Sequence, residues 1–181
     1  MTSRKSACRL LGKIASKLAP NAQLVRQEVL PTALSLCQDP EPEVKHEMCR
    51  HFAQVAVGVG SEVTKTTMMP QLVDLAGDAD GNVRIAAIET VVKLLNFLDG
   101  ETVRDTVVPM VVESGDRARE AGEDAVLAKL AHFQVRNMLC QKLKRETELH
   151  SNKTDSKKST YFTHVFVDVR LDRCICHLLP T

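Results

Sequence analysis

At 181 residues the chain is long enough for one ordinary domain with a sizeable core. Its 24 Lys and Arg against 23 Asp and Glu leave no net field to recruit nucleic acid or an anionic membrane. No tryptophan, one tyrosine and five phenylalanines, in a background rich in Ala, Val and Leu, suit closely packed helices better than an aromatic ligand cleft. No apolar run approaches the roughly 20 residues of a membrane helix, so the expectation is an all-α protein with neither a nucleic-acid nor a membrane partner.

The first segment, MTSRKSACRLLGKIASKL, is basic but lacks the continuous apolar stretch and small-residue cleavage site of a secretory signal. Next, Leu30, Ala33, Leu34 and Cys37 follow an i, i+3, i+4, i+7 pattern, as do Cys49, Phe52, Ala53 and Ala56 after an acidic turn. Two amphipathic helices flanking one short loop are predicted. The same pattern returns 39 residues later as Met69, Leu72, Val73 and Ala76, then Ile88, Val91, Val92 and Leu95. The offset also aligns Pro31 with Pro70, Leu36 with Leu75, Asp39 with Asp78, Val44 with Val83 and Lys45 with Arg84. Asp-Pro-Glu-Pro in one turn and Asp-Ala-Asp-Gly in the other stop the first helix with Pro or Gly and place acid at the next helix's N-terminus.

A third unit opens around Pro109 with Val108, Val111, Val112 and Gly115 on the same face, and Leu127, Leu130 and Ala131 continue it. Its turn has diverged: Arg117 stands where Asp is expected, and Gly122-Glu123 replaces the Val-Arg pair. Upstream, Ala7, Leu11 and Ile14 superpose on Ala87, Val91 and Leu94, so the segment before residue 18 reads as the second helix of a unit. That start leaves Leu11, Ile14 and Leu18 without their usual upstream cover. Val135, Met138, Leu139 and Leu143 extend a helical face. A polar stretch over 149–160 then reads as a linker, and residues 161–181 alternate apolar and polar as a lone, weakly packed or disordered tail.

One helix pair cannot bury its apolar face alone, so neighbouring pairs must stack over a shared core. The predicted fold is an α-solenoid over 1–148 whose turns and loops form extended ridges for partners. A period near 40, a proline in the first helix, Asp at its end and Val-Lys or Val-Arg opening the second resemble the HEAT repeat. The regular spacing and the Asp-Pro-x-x-x-Val-Lys turn in QDPEPEVK are similar to the scaffold subunits of protein phosphatase 2A and its relatives, over about residues 3–140. The tail resembles no part of them, which with the mid-repeat start implies a fragment or a splice-derived isoform.

The resemblance implies a non-catalytic regulatory or scaffold subunit that holds a serine/threonine phosphatase catalytic subunit, of the protein phosphatase 4 type, on its turn ridge. Glu41, Glu43, Asp80 and Asn82 occupy the turn tips and are the positions that correspond to that ridge. Asp39, Lys45, Asp78 and Arg84 recur at fixed positions and are expected to form a ladder of ion pairs between successive units. The alternative reading is a generic HEAT adaptor, in transport or cytoskeletal assembly, with no phosphatase attached.

Cys8, Cys37, Cys49 and Cys140 fall at apolar helix positions, where a free thiol behaves as a small hydrophobe; a reducing, cytoplasmic compartment is expected. Cys174 to His177 lacks the spaced pairs of a structural zinc site, so no metal is expected. His46 and His51, five residues apart, read as surface histidines, and the sequon Asn152–Thr154 as chance. With no phosphate loop, nucleophile elbow or paired metal motif, no catalytic residue or cofactor is assigned.

Overall fold

The computed structural model describes residues 2–124 and 126–128. Among the described residues six long helical runs follow one another, α1 (Thr2–Leu18), α2 (22–37), α3 (Pro42–Val59), α4 (61–76), α5 (Gly81–Leu94, extended by a 3₁₀ turn at Leu95–Phe97) and α6 (100–120), and residues 124 and 126–128 are helical as well. No strand occurs among the described residues, and no helix there is long and apolar enough to cross a membrane. The candidate helix residues from Leu130 onward, Cys140, the linker at 149–160, the tail, its Cys174 to His177 stretch and the sequon lie outside the described residues.

The periodic residues at Leu30, Met69 and Val108 mark only the second half of α2, α4 and α6. Each of these helices begins eight residues earlier, with Ala22, Ser61 and Gly100, and passes through one π-turn: Val25–Val29, Thr64–Met68 and Val103–Val107. The backbone N–H groups of Leu30, Met69 and Val108 accordingly donate five residues back, to Val25, Thr64 and Val103. The cause lies two residues past each π-turn, at Pro31, Pro70 and Pro109. A proline inside an α-helix lacks a donor, and its ring meets the carbonyl four residues earlier; widening the preceding turn by one residue moves that carbonyl aside. Here the helix continues past its proline.

The starts of α2 and α6 are capped by short polar side chains, whereas α4 follows Gly60 with no side-chain cap. Asn21 accepts from Leu24 N at 3.3 Å, and Asp99 accepts from Thr102 N at 2.8 Å. In the turns into α3 and α5, Asp39 accepts from Glu41 N at 3.0 Å and Asp78 from Asp80 N at 2.9 Å, so each carboxylate folds the backbone that follows it. Pro42 then supplies the first residue of α3, where a missing N–H costs nothing. Gly60, at φ 87°, adopts the left-handed conformation that closes α3 and turns the chain into α4.

The helices form two layers. α1, α3 and α5 stack side by side, and α2, α4 and α6 lie against them, each pair antiparallel within its unit. This is the all-α solenoid that the 39-residue register predicts. The shared core holds Met48, Phe52, Val55, Met68, Leu72, Ile88 and Leu94, all fully buried. Between α1 and α3 the contact is made of small residues, Cys8, Gly12 and Ala15. A Cβ at Gly12 would collide with the Gln54 amide oxygen and fall 3.0 Å from the Cβ of His51, so glycine sets how closely α1 approaches. Leu11, Ile14 and Leu18 pack partly against the core, while Leu10 is 57% exposed.

The third unit departs from the first two. α2 and α4 end at Cys37 and Ala76, but α6 runs on through Arg117 to Glu120, because Arg117 stands where Asp39 and Asp78 open the earlier turns and no Pro or Gly follows it before Gly122. The chain turns instead at Gly122, φ 68°.

Candidate functional site: the turn ridge and the links between units

The turns between α2 and α3 and between α4 and α5 lie on one edge of the stack, and the charged side chains there divide into two groups. The first group joins one unit to the next. Asp39, almost fully buried, receives Arg4 of α1, Nε to Oδ2 at 2.8 Å, while its other oxygen holds the turn. Asp78 repeats this chemistry: one oxygen holds its own turn, and the other meets the ammonium of Lys45 on α3. Arg84, at 2% exposure, donates from Nη1 to the carbonyls of Asp78 at 2.9 Å and Ala79 at 3.0 Å, closing the turn before its own helix. Its Nη2 reaches Glu123, beyond the end of α6.

Lys45 and Asp78 are therefore brought together, whereas Asp39 and Arg84 each take a partner outside the set read from the sequence. Arg117 explains the second case. An aspartate there would face Arg84 as Asp78 faces Lys45; the arginine instead reaches back to donate to the Gly77 carbonyl, and Glu123 supplies the missing acid. The link between the second and third units survives with its charges rearranged. Arg4 was also within reach of the sequence, because the offset that places Ala7 on Ala87 places Arg4 on Arg84.

The second group comprises the tips. Glu41 and Asn82 are exposed, and Glu41 makes no side-chain cap bond. Glu43 is also exposed but is engaged by Lys5 of α1 at 2.8 Å. The Asp80 carboxylate caps α5, accepting from Asn82 N at 2.8 Å and Val83 N at 3.2 Å. Two of the four tip positions thus carry a structural task of their own.

Further along α3, Glu47 is a buried carboxylate that periodicity did not single out. Arg9 reaches it across the α1–α3 contact at 2.6 Å, with His51 at 3.5 Å and Arg50 at 3.7 Å. Burial pushes its pKa up, but the hydrogen bond and charge of Arg9, aided by Arg50 and His51, outweigh burial and hold the carboxyl below its ordinary value. At the opposite edge, Lys65 meets Asp99 at 2.6 Å; that ammonium, with the backbone bond from Thr102, holds the Asp99 carboxyl well below the usual range. Arg26, one period before Lys65, donates to the Val59 carbonyl at 3.1 and 2.7 Å.

Cys8, Cys37 and Cys49 are buried free thiols. Burial is the main cause that pushes Cys8 up to about 11 and Cys49 up to about 12, and it raises Cys37 as well. Such groups are inert packing residues rather than nucleophiles. His46 and His51 are half-buried. Among the described residues no cluster of three or more His, Cys, Asp or Glu could hold a metal ion.

No family model matches the chain, and no solved structure matches it. The chain spans 15% of the length of the curated relatives it matches. Over 131 residues, 72% of the chain, it is similar to serine/threonine-protein phosphatase 4 regulatory subunit 4, at 38% identity to the protein of Mus musculus and 37% to that of Homo sapiens.

Proposed function

We propose that the chain is a non-catalytic segment of a phosphatase regulatory subunit, a stack of HEAT-type helix pairs that holds a serine/threonine phosphatase catalytic subunit of the protein phosphatase 4 type. The observation that carries this reading is the similarity to protein phosphatase 4 regulatory subunit 4 across 131 residues. The relatives' description as regulatory subunits supports a non-catalytic role, and the buried, unpaired thiols of Cys8, Cys37 and Cys49 suit a reducing cytoplasm.

The contact surface in this reading is the turn ridge, with Glu41 and Asn82 at its exposed tips. Glu43 and Asp80 make poorer probes, because their reversal would also break the Lys5 pair and the α5 cap. The test is titration of the labelled full chain with purified protein phosphatase 4 and protein phosphatase 2A catalytic subunits. Saturable binding to the former, weakened by Glu41→Lys with Asn82→Lys while helicity is unchanged, supports the proposal. No binding to either subunit rejects it and leaves a transport or cytoskeletal adaptor as the better reading. Binding unaffected by the substitutions moves the contact away from the ridge.

A further inference from the structure

The near-neutral composition conceals a separation of charge between the two layers. α1, α3 and α5 together carry nine Lys and Arg against three Asp and Glu, whereas α2, α4 and α6 carry five against eight. Several cations of the first layer are engaged by acids of the next unit: Arg4, Lys5 and Arg9 reach Asp39, Glu43 and Glu47, and Lys45 reaches Asp78. Lys13 and Lys17 on α1 and Lys93 on α5 are exposed and form no ion pair among the described residues. Arg50 on α3 lies 3.7 Å from Glu47 with 59% of its side chain exposed.

These side chains occupy one surface. Each helix of the layer presents positions i, i+4 and i+7 outward: Arg9, Lys13 and Ser16 on α1, Arg50, Gln54 and Val57 on α3, Glu89, Lys93 and Asn96 along α5 and its 3₁₀ turn. The helices lie in register, because Gly12 sits against Gln54 and the Thr90 hydroxyl donates to the Cys49 carbonyl at 2.7 Å. The result is a strip running across three helices, with Lys13, Lys17, Arg50 and Lys93 opposed by the half-buried Glu89 and with Val57, 54% exposed, on the middle helix.

We propose that this strip is a docking site for an extended acidic peptide segment of a partner protein. The recognition is ionic, with carboxylates meeting Lys13, Lys17, Arg50 and Lys93, and one apolar residue covering Val57. At about 10 Å between helix axes the strip is about 20 Å across, which an extended chain rising about 3.3 Å per residue crosses in about six residues. The chemistry favours a peptide over nucleic acid, since the aromatic rings of α3 and α5, Phe52 and Phe97, are buried and half-buried and offer bases no stacking platform. This inference does not rest on the phosphatase reading, because the strip lies along the helices rather than on the turn tips.

The test uses the full chain and a fluorescein-labelled heptapeptide of Glu and Asp with one central Leu, followed by fluorescence anisotropy. Saturable binding is expected, weakened about tenfold or more in K13E/K17E/R50E/K93E and strongly reduced by salt, as attraction turns to repulsion at each contact. Circular dichroism checks that the variant keeps its helicity. If the fourfold reversal does not fold, K13Q/K93Q is expected to weaken binding about threefold, each lost contact being worth only a surface pair. No binding of the acidic peptide, or equal binding of a Lys-rich peptide, overturns the proposal. So does an undiminished affinity in the folded variants, or tighter binding of a 20-nucleotide single strand, which would make the strip a nucleic-acid surface.

Discussion

Replacing Arg84 with Met separates two accounts of what holds the second and third units together. Methionine keeps most of the buried volume but removes the guanidinium, leaving the carbonyls of Asp78 and Ala79 without donors and Glu123 without its partner. Each lost bond to a carbonyl costs about 1 kcal/mol. The Glu123 side chain is 31% exposed, so water screens the ion pair and its share stays at or below about 1 kcal/mol. R84M is therefore expected to destabilise by about 2–3 kcal/mol, about 4–12 °C in Tm for a chain of this size, whereas E123Q costs at most about 1 kcal/mol. Urea and thermal unfolding followed by far-UV circular dichroism give the magnitudes. Amide exchange is expected to show α6 losing protection before α2 or α3, since the opening is local. An R84M variant within 0.5 kcal/mol of the parent, or an E123Q variant as damaged as R84M, would refute the assignment of the larger share to the turn carbonyls.

Acid should unfold the protein in part through Glu47 and Asp99. Both carboxyls are held below their ordinary values, so the stability they contribute is present above about pH 4.3 and is lost as pH falls through their lower folded-state values; E47Q should flatten this acid limb of the stability profile. Gly12→Ala should cost about 1–3 kcal/mol by forcing α1 away from His51, an overpacking effect seen as a lower urea midpoint; an unchanged midpoint would show that the α1–α3 contact yields easily. Native protein treated with iodoacetamide at pH 8 should remain unmodified at Cys37 and Cys49 and become labelled only on unfolding, as peptide mass mapping would read; rapid native labelling would show that these helices open.

What the sequence made legible was whatever recurred. The faces of α3 and α5, the turns at Asp39 and Asp78 and the stacking of helix pairs all follow from residues repeating at one offset. The beginnings of α2, α4 and α6 were harder to read, because Val25, Val29 and their counterparts follow a π-turn rather than the regular helical period. Links whose two partners both recur, such as Lys45 with Asp78, stand out in an alignment of units. Arg84 with Glu123 does not, since Glu123 occupies the position that Lys45 and Arg84 hold in the first two units, where the repeat leads one to expect a base. Glu47 carries no repeat signal for a related reason: its counterpart in the second unit is Ala86, and its need for a charge comes from Arg9, which belongs to the neighbouring helix. The division of charge between layers requires knowing which helix stacks on which, and composition averages it away.

The three π-turns stand at one height in three neighbouring rods, each just before a proline that withholds a hydrogen bond. Together they score a crease across one layer, while α3 and α5 in the facing layer run without such an interruption through their α-helical lengths. A sheet of rods creased on one side bends more readily about that line than about any other. Flexing this solenoid should therefore have a grain, with the first-helix layer acting as the compliant side and the second-helix layer as the spine.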